Sequence, residues 1–321
     1  MAKFITPTLV RHGKTMVLAL CLALSCQLSA REFTLVIDPG HGGKDIGAPG
    51  RQTNEKMVVL EVGKRLKKLI EKEHPEVKVM LTRDTDVFIP LKERASIANK
   101  ADADLFISIH CDAVGDKKRA RTVAGSTVYV LGTNKSETNL EVVKRENSVI
   151  ELEDGYRETY KDVEALTAEQ LIMLELNQNL SGSVDFAQMA SDELHSTAGR
   201  ASRGDKSVMP CGFYVLVFTK MPSVLVELDF ICNPTVEQYL YSDKGKDSCA
   251  KALANAFSTY YKATGSKSVA SRPGDPRPVE TRQVELQADK NGASAAPKAG
   301  TSKKSSTPKK RSGKRKSSKR K

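Results

Sequence analysis

The chain contains no tryptophan, and only 5% of its 321 residues are aromatic. This scarcity argues against a function that stacks nucleic-acid bases or sugar rings on aromatic side chains. The sequence also has no CxxC pair and no HExxH motif. These absences exclude a zinc ribbon and the helix-borne zinc site of many metalloproteases. No internal repeat is present, so a repeat architecture is not expected.

Acidic residues are absent from the first 30 residues and scarce at the end of the chain. Residues 1–30 hold three basic side chains, and residues 266–321 hold 17 basic and 4 acidic ones. Residues 31–265 hold 31 basic and 35 acidic side chains. The formal net charge of +12 therefore comes from the tail, and the body is slightly acidic. A basic DNA-reading domain is excluded as the core, and nucleic acid is not an expected partner.

The N-terminal apolar run Met16–Leu24 is shorter than the about 20 residues of a membrane-spanning helix. Basic residues precede the run, and the small residues Ser29 and Ala30 offer a cleavage site. We predict a signal peptide over residues 1–30 and a periplasmic or cell-envelope location. An uncleaved anchor and a lipidated Cys26 are the alternatives. Export leaves open whether the four cysteines of the body form disulfides.

From Ser266 the chain consists mainly of Lys, Arg, Ser, Pro and Gly, with almost no large apolar residue. Such a segment cannot bury enough surface to offset its ordering entropy, so we predict a disordered tail over 266–321. The tail is either merely solvated or a tether to anionic polymers of the envelope.

Short apolar runs alternate with helical patterns through residues 31–265. This alternation predicts an α/β fold, namely a single three-layer domain with a mostly parallel sheet flanked by helices. The predicted helices are a stretch from Glu55 to before Pro75, Leu91–Lys100 and Lys246–Lys262. The predicted strands are Phe33–Ile37, Val77–Leu81, Leu105–Ile109, Thr127–Leu131, Gly212–Phe218 and Ser223–Leu228.

One acidic segment interrupts this alternation. Glu137–Glu175 contains 11 acidic and 4 basic residues, and its apolar spacing is helical. We predict a helical insertion over residues 137–198. The insertion is either a solvated excursion from the body or a regulatory element that lies over the functional site.

Two histidines stand at the ends of predicted strands. His41 follows the first strand in the motif DPGHGG, and His110 closes the strand LFISIH. Ligands of open α/β sheets collect at the carboxyl ends of the strands. Two histidines that meet there predict a divalent metal site. His74 and His195 are expected on the surface, and His12 is lost with the signal peptide.

Acidic residues near the same ends complete a candidate site for metal-assisted hydrolysis. Glu55, at the start of the first helix, is the best third ligand, although its position alone favours a charge that merely stabilises a helix N-terminus. Glu227 ends a buried apolar strand and is the best proton acceptor, with Asp229 next in rank. Asp38 is expected to form a turn or to partner His41.

Four segments in register resemble a known family over nearly all of residues 33–262. They are VIDPGHGGKDIGAPG, NEKMVVLEVGKRLKKLI, LTRDTDVFIPLKERASIANKADADLFISIHCDA and MPSVLVELDFICN. The chain resembles the zinc-dependent N-acetylmuramoyl-L-alanine amidases that separate daughter cells. The resemblance implies that His41, Glu55 and His110 bind one Zn²⁺ ion and that Glu227 is the catalytic glutamate. Two departures, Cys111 after the second histidine and Leu228 with Asp229 after the glutamate, bear on pocket shape more than on activity.

The implied function is peptidoglycan hydrolysis at the amide between N-acetylmuramic acid and the L-alanine of the stem peptide. Arg94 is a possible contact for the oxyanion or substrate. The family also carries a helical insertion that covers the zinc until a protein activator displaces it, and Glu146, Glu151 and Glu153 are unranked candidates for a blocking zinc ligand. The rivals are a zinc peptidase that cuts another peptidoglycan bond and a non-catalytic cell-wall binding or regulatory protein.

Overall fold

The computed structural model describes residues 31–132, 137–164 and 179–268. The predicted signal peptide lies outside the described residues, as does the predicted tail beyond Ser268. The strands are β1 (Thr34–Pro39), β2 (Lys78–Leu81), β3 (Leu105–Asp112), β4 (Thr127–Leu131), β5 (Val208–Cys211) and β6 (Ser223–Phe230). The α-helices are α1 (Glu55–Glu73), α2 (Leu91–Lys100), α3 (Glu137–Asn147), α4 (Tyr156–Glu164), α5 (Leu180–Ser196), α6 (Tyr214–Val217), α7 (Pro234–Tyr241) and α8 (Asp243–Ser268).

The six strands form one sheet in the order β2-β1-β3-β6-β4-β5. All neighbouring pairs are parallel except β4 and β6, which pair antiparallel. The predicted α/β class with a mostly parallel sheet is therefore confirmed. Within the described part of the chain, no helix combines the length and the apolar character needed to cross a membrane.

Successive side chains of the central strands pack alternately into two hydrophobic cores, one on each face of the sheet. In β3, Leu105 and Ile107 pack into the larger core with α1, α5 and α8, whereas Phe106 packs into the smaller core. In β6, Val224 belongs to the larger core and Leu225 to the smaller one. This period of two is the signature of strands that are covered on both faces. The result is a three-layer arrangement.

The predicted strand Gly212–Phe218 is wrong. Residues Tyr214–Val217 form a single helical turn, and the strand lies earlier, at Val208–Cys211. A short apolar run fits a strand and a buried helical turn equally well, so its periodicity cannot separate them. Pro210 argues against a strand at Val208–Cys211 in the sequence pattern. Proline is tolerated there because β5 is an edge strand.

The structure narrows the predicted insertion of residues 137–198. Helix α5 packs into the larger core through Phe186, Ala187, Ala190 and Leu194, so it belongs to the body of the domain. The described part that lies apart from that core is residues 137–164, with α3, a 3₁₀ turn at Ser148–Leu152 and α4. We call residues 137–164 the cover segment.

The four described cysteines have free thiols. Cys111, Cys211 and Cys249 are buried, and Cys232 is half-buried.

Candidate metal centre and active site

Strands β3 and β6 end side by side and present two functional side chains to the same face of the sheet. His110 is the register partner of Glu227 in this parallel pair. Neighbouring strands lie about 4.8 Å apart, and register partners project to the same side. Both side chains are buried, with 5% of His110 and 1% of Glu227 exposed. The first-ranked proton acceptor therefore stands beside a predicted metal ligand.

His41 follows β1 in a loop whose backbone is held by two buried arginines. Its φ of 60° lies in the left-handed region, which residues with a side chain rarely adopt. Nη2 of Arg94 donates to the carbonyl of His41 at 2.6 Å, and Nη2 of Arg83 donates to the carbonyl of Gly40 at 2.7 Å. These contacts stabilise a strained conformation that turns the His41 ring towards the end of the sheet.

Gly47 closes the loop directly against two of the predicted ligands. Its φ is +66°, and a Cβ atom there would lie 2.6 Å from Oε2 of Glu55 and 2.7 Å from Cδ2 of His41. Both separations are far below van der Waals contact. Only glycine therefore allows the loop to approach the start of α1 this closely.

Glu55 is the first residue of α1 and is fully buried. Its Oε1 atom accepts a hydrogen bond from the backbone N–H of Cys111 at 2.8 Å, and its Oε2 atom accepts one from Ala48 at 2.7 Å. The carboxylate is thus fixed by donors from β3 and from the His41 loop, which joins the helix start to the strand ends.

One side-chain atom from each of four residues converges at this corner: His41, Glu55, His110 and Glu146, all within 4.8 Å of one another. Nε2 of His41 lies 3.0 Å from Oε1 of Glu55 and 3.2 Å from Oε2 of Glu146. Nδ1 of His110 lies 3.0 Å and 3.1 Å from the same two oxygens. Tetrahedral zinc ligands stand about 3.3–3.6 Å apart, so a small expansion of this cluster accommodates the ion.

Two buried atoms of the cluster support a metal on independent grounds. Nε2 of His41 and Oε2 of Glu146 lie within ion-pair distance of each other, but neither atom forms a hydrogen bond. Buried polar atoms are seldom left without a hydrogen bond, and a bound metal ion would give both atoms a partner. Imidazole nitrogens with carboxylate oxygens are also a donor set that zinc prefers. The four residues can therefore hold a metal.

Without a metal, the carboxylates and imidazoles of the cluster stabilise each other's charged forms. Burial lowers the pKa of His41, but the carboxylates of Glu55 and Glu146 more than offset this, so the pKa lies well above its ordinary value of 6.5. Burial raises the pKa of Glu55, but the charge of His41 together with the hydrogen bonds from His110 and His41 more than offsets this and brings the pKa to about 2. Metal binding therefore has to displace protons from the histidines.

Glu227 is buried beside this cluster, and its Oε2 atom has no hydrogen-bond partner. Burial and the nearby carboxylate of Asp112 raise its pKa well above the ordinary value of 4.5, although Arg145 opposes the shift. A raised pKa makes the carboxylate a stronger base than an exposed glutamate.

Asp229 was the alternative proton acceptor, but its carboxylate is engaged elsewhere. Oδ1 accepts from the backbone N–H of Gly125 at 2.8 Å, and Oδ2 pairs with Nη1 of Arg200 at 3.0 Å. These contacts tie Asp229 to two neighbouring loops, so the geometry favours Glu227.

Of the three candidate blocking ligands, the structure brings only Glu146 to the metal cluster. Glu151 is exposed. Glu153 accepts from the backbone N–H of Leu91 at 2.9 Å and from the hydroxyl of Tyr160 at 2.9 Å, so it caps the start of α2. The 4% exposure of Glu146 shows that the cover segment seals this corner.

Arg145, adjacent to Glu146 on α3, reaches the proton acceptor. Its Nη2 atom lies 3.4 Å from Oε1 of Glu227, and its Nη1 atom lies 2.9 Å from Oδ1 of Asp112. The cover segment therefore contacts both the predicted metal ligands and the predicted catalytic glutamate.

Arg94 is 2% exposed and its guanidinium is largely committed to the protein. Beyond His41, it donates to Oδ1 of Asp38 at 2.8 Å and to the carbonyl of Pro39 at 2.9 Å. A contact between Arg94 and substrate stays a prediction, and the geometry favours a role in positioning the His41 loop.

The predicted roles of Asp38 are wrong. Asp38 lies within β1 and accepts hydrogen bonds from Thr82 and Ser108 as well as from Arg94. The carboxylate that partners the His41 ring belongs to Asp45, at 2.7 Å from Nδ1.

Four polar residues of the site were not singled out from the sequence: Arg83, Asp112, Arg145 and Asp45. Asp45, Arg83 and Asp112 lie inside the quoted segments, with Asp45 four residues after His41 and Asp112 two residues after His110, whereas Arg145 lies outside them. His195 is exposed as expected, whereas His74 is half-buried and lies edge-on to Phe257 and Tyr261 of α8.

A family model described as N-acetylmuramoyl-L-alanine amidase matches residues 35–259. The chain belongs to this family. The match includes the four residues of the metal cluster and all six strands except the first residue of β1, so the described body is an N-acetylmuramoyl-L-alanine amidase domain.

Named relatives agree with this membership. The amidase domain is 33% identical to N-acetylmuramoyl-L-alanine amidase AmiA of Escherichia coli K12 over 236 residues, which are 73% of this chain and 78% of that protein. It is 33% identical to AmiC of Escherichia coli O6:H1 over 234 residues, or 72% of this chain. The chain spans about half of that AmiC, since the match covers 53% of its length.

Solved structures of the family share the fold. An N-acetylmuramoyl-L-alanine amidase from Clostridium difficile 630 matches with a TM-score of 0.54 and 25% identity, covering 73% of this chain and 98% of the other. AmiC2 of Nostoc punctiforme matches with a TM-score of 0.52 and 26% identity, covering 73% and 99%.

Proposed function

We propose that this protein is a zinc-dependent peptidoglycan hydrolase that cleaves the amide between N-acetylmuramic acid and the L-alanine of the stem peptide. The observation that carries the proposal is the pairing of Glu227 with His110 on adjacent strand ends, beside a four-residue cluster with unpartnered ligand atoms. A base next to a metal site is the arrangement that metal-assisted hydrolysis requires.

The cluster residues His41, Glu55 and His110 come from the body of the domain and hold the ion in the active state. Zinc, when bound, polarises the scissile carbonyl and makes a water molecule more acidic. Glu227 accepts the proton of the attacking water, because its buried carboxylate is a strong base. The same group then returns the proton to the amide nitrogen as the bond to carbon breaks.

The loop around His41 holds this metal ligand in a fixed position. Asp45 fixes the tautomer of His41 by accepting from Nδ1, so that Nε2 faces the ion. Arg94 and Arg83 donate to the carbonyls of residues 39–41 and so hold the backbone of the loop. A ligand held this way keeps its geometry when substrate enters.

We further propose that the cover segment keeps the enzyme inactive. Glu146 joins the cluster as a fourth ligand and so takes the coordination position that a catalytic zinc site leaves for water. Asn147 secures the same helix end, because its Nδ2 donates to the carbonyl of Gly212 at 3.0 Å and its Oδ1 accepts from Tyr214 at 3.0 Å. Activity then requires a protein activator that displaces the segment.

The cellular setting follows from the sequence. A signal peptide over residues 1–30 would export the enzyme to the periplasm or envelope, where its substrate lies. We propose a role in daughter-cell separation or wall remodelling. The basic tail would retain the enzyme by binding anionic envelope polymers.

The test is digestion of purified sacculi by zinc-loaded full-length chain, alone and with the cover segment destabilised by Glu146→Ala. Mass spectrometry of the products should show free stem peptides that begin with L-alanine. Fragments cut at another bond would favour the rival function of a zinc peptidase. If neither the wild-type chain nor the Glu146→Ala variant cleaved the sacculi, the rival function of a non-catalytic cell-wall binding protein would be favoured. Glu227→Gln in the Glu146→Ala background should abolish release while the bound zinc remains, and undiminished release would overturn its assigned role.

A further inference from the structure

Arg145 sits in a set of acceptors that the body of the domain provides. Its Nη1 atom donates to Oδ1 of Asp112 at 2.9 Å and to the carbonyl of Ala113 at 2.7 Å. Its Nη2 atom lies 3.4 Å from Oε1 of Glu227. Two carboxylates and a carbonyl around one guanidinium form a binding site for a cation. We call Asp112, the Ala113 carbonyl and Glu227 the cation seat.

The cation seat is buried and lies next to the metal cluster. Asp112 is 2% exposed and stands two residues after the ligand His110 at the end of β3. Glu227 is 1% exposed, and its Oε2 atom has no hydrogen-bond partner. Arg145 also contacts Oε1 of Glu146, whose other oxygen belongs to the cluster. The carboxylate of Glu146 therefore bridges Arg145 in the seat and the histidines of the metal cluster.

The cation that fills the seat is carried by the cover segment and not by the body. Displacement of α3, which the proposed function requires for activity, removes Arg145 and Glu146 together because they are adjacent residues. Asp112 and Glu227 then lose the guanidinium that pairs with them in the closed state. Two neighbouring carboxylates without a counter-charge attract a new cation to this place.

The proposed reaction produces such a cation. Water adds its oxygen to the lactyl carbonyl carbon, the carbon–nitrogen bond breaks, and the nitrogen takes up protons. The products are a lactyl carboxylate and an L-alanyl peptide with a free ammonium group. Glu227, the group that returns the proton to this nitrogen, is itself part of the seat. The new ammonium therefore forms within reach of the same acceptors.

We propose that Asp112 and the carbonyl of Ala113 bind the leaving amine of the substrate, and that Arg145 occupies their site while the cover segment is closed. This inference rests on the proposed function for the identity of the amine. The existence of the cation seat does not depend on it. Asp112 is thus a substrate-binding residue for the leaving group, with no role as a metal ligand.

The seat itself is tested without catalysis, by thermal unfolding with added ethylammonium chloride. Arg145→Ala vacates the seat, so ethylammonium should raise the melting temperature of this variant above the effect of equal sodium chloride. Wild-type protein and the matched control Arg119→Ala, an exposed arginine, should show no such rise. The double variant Arg145→Ala/Asp112→Asn should lose the response. An equal change in melting temperature in all four proteins would show that these residues do not form a cation-binding site.

The identity of the natural cation is tested by calorimetric titration with L-alanyl-D-isoglutamine and with its N-acetylated form. The protein is the zinc-loaded full-length chain with Arg145→Ala and Glu146→Ala. The free amine should bind about tenfold more tightly than the acetylated peptide, as expected for a charge-assisted contact. Asp112→Asn should remove most of this preference, whereas direct ligation of zinc by the amine would leave it unchanged and overturn the assignment.

The two proposals fail in different ways. A chain that prefers the free amine through Asp112 but releases no stem peptides from sacculi keeps the seat and loses the proposed function. A chain that releases stem peptides but shows no preference dependent on Asp112 keeps the function and loses the leaving-amine assignment.

Discussion

The Oδ2 atom of Asp45 lies 2.7 Å from Nδ1 of His41, on the side of the imidazole opposite to the metal cluster. The other carboxylate oxygen accepts from the backbone N–H of Gly47 at 3.1 Å. Asp45 therefore links the ring of one ligand to the loop that packs against another, Glu55. Such an outer partner sets the tautomer and raises the basicity of a metal-binding histidine.

Asp45→Asn should weaken zinc binding by about 10–100-fold, the range for loss of an outer carboxylate partner. Competition with a chromophoric chelator measures the affinity directly. Asp84→Asn, at an exposed aspartate of the same region, should leave it unchanged. An Asp45→Asn protein with wild-type affinity would show that the carboxylate does not orient the ligand.

Glu146→Ala should raise basal release of stem peptides from sacculi. Loss of a charge-assisted contact, about 1.5–3 kcal/mol, shifts the closed-to-open balance of the cover segment by roughly tenfold or more. The exposed Glu151 provides the matched control, and Glu151→Ala should release peptides at the wild-type rate. If both variants matched the wild type, the cover segment would not restrain activity.

Besides Glu146, Tyr160 holds the cover segment against the body of the domain, and the effect of this contact on activity should be measurable. The hydroxyl of Tyr160 accepts from the backbone N–H of Lys92 at 3.1 Å and donates to Glu153. Tyr160→Phe removes about 1 kcal/mol of net hydrogen bonding, so amide exchange at Lys92 should accelerate and basal activity should rise several-fold. Tyr156→Phe, whose hydroxyl lies in an exposed contact with Arg157, is the control. Unaltered amide exchange at Lys92 would show that the Tyr160 hydroxyl does not hold the cover segment in place.

Chelator-treated protein should lose stability as the pH rises above about 6.5. The raised pKa of His41 means that its ion pairs stabilise the fold fully below the unfolded value of 6.5 and are lost as the pH rises through the folded value. The lowered pKa of Glu55 has the opposite sign: its contribution is present above 4.5 and is lost as the pH falls towards about 2. Stabilisation from this cluster without metal is therefore greatest between 4.5 and 6.5.

Bound zinc should prevent the loss of stability above pH 6.5, because the ion takes the place of the histidine protons. The gap in melting temperature between zinc-loaded and chelated protein should widen from pH 6 to pH 8. Scanning calorimetry across that range tests this, and a constant gap would show that the cluster does not exchange protons for metal.

The sequence was informative where local pattern and strand order suffice. His41 and His110 follow buried apolar runs, and the carboxyl ends of parallel strands meet at one edge. Glu55 and Glu227 could be named because each stands at the boundary of a strong periodic segment. The structure places all four at one corner, while their chemical roles stay predictions for the experiments above.

Other features required the folded chain. The short run after Cys211 fits a strand by composition, yet it forms a helical turn because β5 already pairs with β4 at that edge. The ranking of Glu146 over Glu151 and Glu153 depends on which face of the cover segment meets the sheet. No spacing in the sequence specifies that packing.

The sequence by itself determined the α/β class, the strands that carry the ligands and the confinement of the excess basic charge to residues 266–321. Hydrophobic periodicity and composition are local properties, so they can be read directly. Only the tertiary structure decided that Asp45, and not Asp38, partners His41, and that Arg145 meets Asp112 across 33 positions of the chain. Those contacts join distant segments, and their geometry depends on how the sheet, the His41 loop and the cover segment pack together.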